Sequence, residues 1–206
     1  MVSSNSVLRL IAVRRADCFA LAASFWSVVC GAGVANAQTV LLALDPQKTT
    51  VNFTLGDVLH TVHGSFRLKR GALSLDAATG KLSGEIVVDA KSGESGNGMR
   101  DRKMHREVLE SEQYPEISFR PDRLEGGAVA AGKSEIRVHG MFSIHGAEHE
   151  LAVPAQVEMF PDHWAATLKF NVPYAKWGMK NPSTLFLRVS ESVEIDVATG
   201  GAVGRQ

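Results

Sequence analysis

Apolar and polar residues alternate along most of this chain, and a period of two restricts it to strands with one buried face. Val51, Phe53 and Leu55 alternate with Thr50, Asn52 and Thr54. Ile136, Val138, Phe142 and Ile144 alternate with Glu135, Arg137, His139 and Ser143. Leu185, Leu187 and Val189, then Val193, Ile195 and Val197, hold one parity of the last segment. Turn signals separate such runs at Asp45-Pro46, Asp76 to Gly80, Ser92 to Gly98, Gly126-Gly127, His145-Gly146, Pro161-Asp162 and Gly178 to Ser183. Strands are therefore expected near 49–56, 59–70, 81–90, 116–123, 133–145, 148–160, 163–172 and 184–197. Regular strands with no helices between them indicate an antiparallel barrel or sandwich.

One stretch departs from this period. Between Met99 and Leu109, Met104 and Val108 lie four apart, as do His105 and Leu109, which predicts one inserted α-helix over about 98–110. Ser95 or Asn97 can cap its start, and Pro115 prevents its continuation. Asp101 suits the first helical turn, and His105 is expected to pack at or line the barrel mouth.

The N-terminal segment is read as separate from the fold. Arg9, Arg14 and Arg15 form a basic region, Phe19 to Val34 an apolar run, and Ala35-Asn36-Ala37 a small-residue cleavage site. The run is short of the roughly 20 apolar residues of a membrane span. Residues 1–37 thus read as a secretory signal peptide and 38–206 as one domain. Taking out the three Arg and one Asp of that segment leaves 19 basic and 21 acidic residues, a net of −2. Such a balance offers no electrostatic footprint for nucleic acid. Cys18 and Cys30 both fall in the signal, so the mature chain relies on its core for stability rather than on disulfides.

Phe53, Leu55, Phe66, Leu68, Ile86, Val88, Ile117, Phe119, Phe142, Ile144, Leu151, Val153, Leu168, Phe170, Leu187 and Ile195 share the apolar parity of their strands. Eight strands closed on themselves enclose a space that either fills with these side chains or holds one small ligand. The histidines give a second candidate site. His60 falls on an apolar parity and His63 on a polar one, so that pair points to opposite faces. His139 and His145 share a parity but lie roughly 20 Å apart along a strand. A metal site would need histidines converging from different strands; rim or structural roles suit them better, with His60 and His149 expected to face inward. Asp101 and His105 have the spacing of an oriented imidazole, but no nucleophile context accompanies them. Glu191 interrupts the apolar parity between Val189 and Val193, either as an inward head-group ligand or as part of an outward bulge.

Three blocks carry a resemblance. Thr61-Val62-His63-Gly64-Ser65-Phe66, followed by Gly71 and Asp76, is one. Arg100-Asp101-Arg102-Lys103-Met104-His105 with Tyr114-Pro115-Glu116-Ile117-Ser118-Phe119 is the second. Val138-His139-Gly140-Met141-Phe142-Ser143-Ile144-His145-Gly146 is the third. In order and spacing, from about Leu44 to Val197, they resemble the YceI-like proteins. Where members carry a His soon after the first strand's Phe, this chain has Thr54-Leu55-Gly56.

The resemblance implies an all-β, lipocalin-like barrel of eight antiparallel strands with one inserted helix. It also implies a periplasmic or secreted binding protein, not an enzyme and with no cofactor. Its partner would be a long-chain isoprenoid or other lipid, a polyisoprenoid, isoprenoid quinone or fatty-acid derivative, exchanged through transient membrane contact. The ligand-lining residues would be the inward set above, with His105 at the mouth. The alternatives are a metal-binding barrel using the histidines and a filled-core interaction module.

Overall fold

The computed structural model describes residues 39–56, 60–125, 131–184 and 188–205. The expected signal segment, Leu185 and Leu187 lie outside them. Among the described residues, nine strands form one antiparallel sheet: β1 (Thr39–Ala43), β2 (Thr50–Gly56), β3 (Thr61–Asp76), β4 (Leu82–Glu94), β5 (Glu116–Glu125), β6 (Gly132–Ile144), β7 (Ala147–Met159), β8 (His163–Val172) and β9 (Val193–Arg205). β2 pairs with β3 and β9, each later strand pairs with the next, and β3 pairs with β4, so the sheet closes on itself.

Nine strands occupy only eight places in the ring. β1 also pairs with β3 and β9, through Ala72 to Asp76 and Val203 to Arg205, whereas β2 uses Thr61 to Phe66 and Glu194 to Ala198. The first strand is thus broken in two, end to end. The break is chemical: Pro46 has no N–H to give a ladder, and the Asp45 carboxylate accepts from the Gln47 N–H at 2.9 Å. The Thr49 hydroxyl then caps the Asp45 carbonyl at 2.8 Å and returns the chain to the sheet. The expected eight-stranded barrel describes the ring, and β1 is an element the alternation did not reveal.

Other differences concern ends. β3 and β4 run longer than expected, reaching Asp76 and Glu94. β9 begins at Val193 rather than 184 and extends to Arg205. The helix is split into α1 (Gly98–Lys103) and one π-helical turn (Met104–Val108). Asn97 is its cap, with Oδ1 accepting from Met99 and Arg100 N–H at 3.1 and 3.2 Å. Among the described residues, no helix is long and apolar enough to cross a membrane.

Two residues explain the best-defined hairpin. Ile144 pairs with Ala147, leaving only His145 and Gly146 to reverse the chain. Both have positive φ, 52° and 75°, the condition for a type I′ turn that matches the twist of its strands.

Candidate ligand-binding cavity

The barrel has a solid end and a hollow end. At the end carrying β1 and the 77–81 and 160–162 turns, Leu42, Leu75, Leu82, Ile136, Val157 and Trp164 form a buried cluster. Toward the opposite end, inward residues such as Leu55, Phe66, Val88, Ile117, Phe142 and Phe170 retain partial exposure although they face the interior. Close-packed interiors leave few voids larger than a water molecule. Here the interior encloses a cavity of about 580 Å³, within the size range of small-molecule sites.

Each ring strand supplies inward residues in steps of two: Phe53 and Leu55 from β2, Phe66 and Leu68 from β3, Ile86 and Val88 from β4, Ile117 and Phe119 from β5. Phe142 and Ile144 come from β6, Leu151 and Val153 from β7, Leu168 and Phe170 from β8, and Ile195 from β9. Gly64 shapes one wall. It pairs with Phe53, and a Cβ there would come within 2.3 Å of the Phe53 ring, so the missing side chain lets that ring lie across the sheet. Phe53 and Phe66 meet at 5.4 Å between ring centroids.

Two of the expected lining residues are not placed on this wall. Leu187 lies outside the described residues. His105 does not line the cavity: its Nε2–H donates to the Gly93 carbonyl at 2.8 Å, and its Nδ1 faces the Ser111 hydroxyl at 3.0 Å. The carbonyl fixes the tautomer, so His105 pins the π-helical turn to β4 and to the 109–115 connection. Residue spacing gave His105 a helix face but could not say which neighbours that face would meet.

The mouth is covered by α1, the π-helical turn and the segment 173–184. Met104, Val108, Leu109, Tyr174 and Met179 complete the lining there. Of these, Met104 and Val108 were visible as a helical pair, while Tyr174 and Met179 lie in a segment without periodicity. Trp177 stacks on His149 at 4.0 Å with planes 4° apart and contacts Phe142 at 5.8 Å. The Tyr174 hydroxyl donates to the Ser190 carbonyl at 2.6 Å. Burial pushes that phenol up to about 12, helped by the nearby Glu191 charge.

The covering segment is tied down by ions. Lys180 pairs with Glu107 at 2.9 Å, and the Arg106 and Lys180 hydrogen bonds hold the Glu107 carboxyl down to about 2. Among the described residues, two cations line the cavity itself. Arg100 donates from Nε and Nη2 to the Ser95 hydroxyl and carbonyl at 2.7 and 2.8 Å. Lys103 donates to the Pro182 carbonyl at 3.3 Å.

Other sequence candidates lie elsewhere. His60 and His63 are exposed rather than inward. Asp101 makes no dyad with His105; its carboxylate accepts from the Ser95 N–H at 2.9 Å and from the Ser95 hydroxyl. Glu191 is exposed and precedes β9, because the strand starts two residues later. Trp164 sits in the solid end. His139 is buried on the outer face between Asp122 and Glu150, each 2.8 Å away. Among the described residues, no three His, Cys, Asp or Glu side chains gather as a metal site.

A closed antiparallel barrel around an apolar hollow defines the class of internal-cavity binding folds. Residues 42–200 match the YceI-like domain, and the chain belongs to that family. Its structure is similar to that of BcnA from Burkholderia cenocepacia, with TM-score 0.62 at 16% identity, covering 77% of this chain and 99% of that one. It is also similar to a polyisoprenoid binding domain from Saccharophagus degradans implicated in plant cell wall breakdown. That match has TM-score 0.60 at 17% identity and covers 80% and 97% of the two chains. A Campylobacter jejuni YceI protein gives TM-score 0.57 at 13% identity, covering 70% and 86%. No curated protein matches the sequence.

Proposed function

We propose that this protein binds a long-chain apolar molecule inside its barrel and carries or stores it outside the cytoplasm. The observation that carries this reading is the hollow end: inward apolar side chains from every strand of the ring surround about 580 Å³ of space. Each methylene taken from water into such a lining is worth about 0.8 kcal/mol. About ten of them correspond to micromolar binding before the costs of immobilisation. A polar anchor is not required for that affinity.

The similar Saccharophagus degradans domain is described as polyisoprenoid binding, which favours an isoprenoid or fatty chain here. The basic, then apolar, N-terminal segment with Ala35-Asn36-Ala37 supports export and cleavage before Gln38. Binding without turnover is the role proposed. The interior hollow also favours carriage over the filled-core alternative.

Solvent extraction of protein purified under native conditions, read by mass spectrometry, tests this. A stoichiometric apolar compound of long chain length is expected. Protein free of any such compound, and unable to take up the neutral dye Nile red, overturns the reading.

A further inference from the structure

The cavity wall is apolar, yet the charged side chains of its described lining are of one sign. Among the described lining residues, Arg100 and Lys103 are the charged ones. They stand three apart on α1, hence on one helix face. Their partners are neutral oxygens: the Ser95 hydroxyl and carbonyl for Arg100, the Pro182 carbonyl for Lys103.

The carboxylates of the π-helical turn and of the connection after it are engaged elsewhere. Glu107 is paired with Lys180 and Arg106, Glu110 with His145, and Glu112 with Lys91. Asp101 accepts from Ser95, so it shares a partner with Arg100 and offsets part of that charge. Lys103 is left as a cation whose amine meets one carbonyl. Such a group gains from a charged acceptor, because hydrogen bonds to ionised partners are the stronger kind.

Size supplies the other constraint. The cavity of about 580 Å³ has the size of ordinary small-molecule sites, and the solid end, built on Leu42, Leu75 and Trp164, closes its far side.

Resting on the carriage reading above, we infer that the ligand is an anionic amphiphile, its tail in the cavity and its carboxylate or phosphate head at Lys103 and Arg100. The shared chemistry is an oxyanion at the end of an apolar chain. The two cations are specificity-determining: they favour a charged head over a neutral one on the same tail.

Displacement of Nile red from the purified protein tests this with palmitate against hexadecanol, and geranylgeranyl phosphate against geranylgeraniol. At least one anion is expected to bind about ten-fold tighter than its alcohol; which pair shows it tells carboxylate from phosphate. Lys103→Gln and Arg100→Gln are expected to bring that ratio toward one, and Lys103→Arg to keep it. Equal binding of anion and alcohol in both pairs, or a ratio that survives in both Gln variants, overturns the inference and leaves carriage standing. Failure of all four probes to displace the dye, or of the dye to bind, removes both.

Discussion

The imidazole of His149 lies flat on the indole of Trp177, with centroids 4.0 Å apart and planes 4° from parallel. The contact joins β7 to the segment that covers the barrel mouth. Aromatic pairs of this kind are worth about 1 kcal/mol beyond the area they bury. Trp177→Ala is therefore expected to accelerate Nile red release and to weaken its binding several-fold. A double-mutant cycle with His149→Ala, read by urea denaturation, is expected to give a coupling of about 1 kcal/mol. Strictly additive effects, with release unchanged, contradict a role for the stack in holding the cover.

His139 sets a pH dependence on the outer face. Hydrogen bonds donated to the Asp122 and Glu150 carboxylates hold its imidazolium above the ordinary value, against burial and the Arg123 charge. A raised folded value means stabilisation that is complete below about pH 6.5, the unfolded histidine's pKa. It is lost as pH rises through the raised value. Urea midpoints are expected to fall from about pH 6 to pH 8 in the wild type, and His139→Gln is expected to flatten that slope. An identical slope in the variant shows that another group is responsible.

Tyr174 sets a second window at high pH. Its phenol is raised from 10.0 to about 12, by burial first and by Glu191 second. The folded state therefore keeps a proton that the unfolded chain releases. Stability is full below pH 10 and declines as pH rises toward 12. Ultraviolet titration is expected to show one tyrosine ionising late, and Tyr174→Phe to remove both the late step and the alkaline decline. The variant also loses the hydrogen bond to the Ser190 carbonyl, at a cost of about 1 kcal/mol. A late step that persists in Tyr174→Phe contradicts the assignment.

The sequence disclosed the parts of the barrel where side chains alternate without interruption. The β6–β7 hairpin was placed within a residue, because Ile136, Val138, Phe142 and Ile144 share one parity and His145-Gly146 suits a tight turn. The cavity wall followed, since parity alone decides which side chains face inward. β1 stayed hidden because Val40, Leu41 and Leu42 are apolar in succession and lie close to a run of similar composition. The extension of β9 beyond Val197 stayed hidden because Gly200, Gly201, Ala202 and Gly204 carry no pattern to read. The cover of the mouth was not legible either. Tyr174, Trp177 and Met179 sit in an irregular segment, where only tertiary contacts decide which side chains turn toward the cavity.

Filling the cavity tests the central claim most directly. Ile117 lines the hollow and packs against the mouth cluster of Ile144, Val172, Tyr174 and Met179, so Ile117→Trp directs an indole into the space. Titration of the purified wild type and this variant with Nile red, alongside their urea midpoints, separates binding from folding. The expected result is at least a ten-fold loss of uptake in a variant that still unfolds cooperatively, with stability lowered by about 1–3 kcal/mol. Undiminished uptake by a folded Ile117→Trp protein contradicts a ligand held inside the barrel.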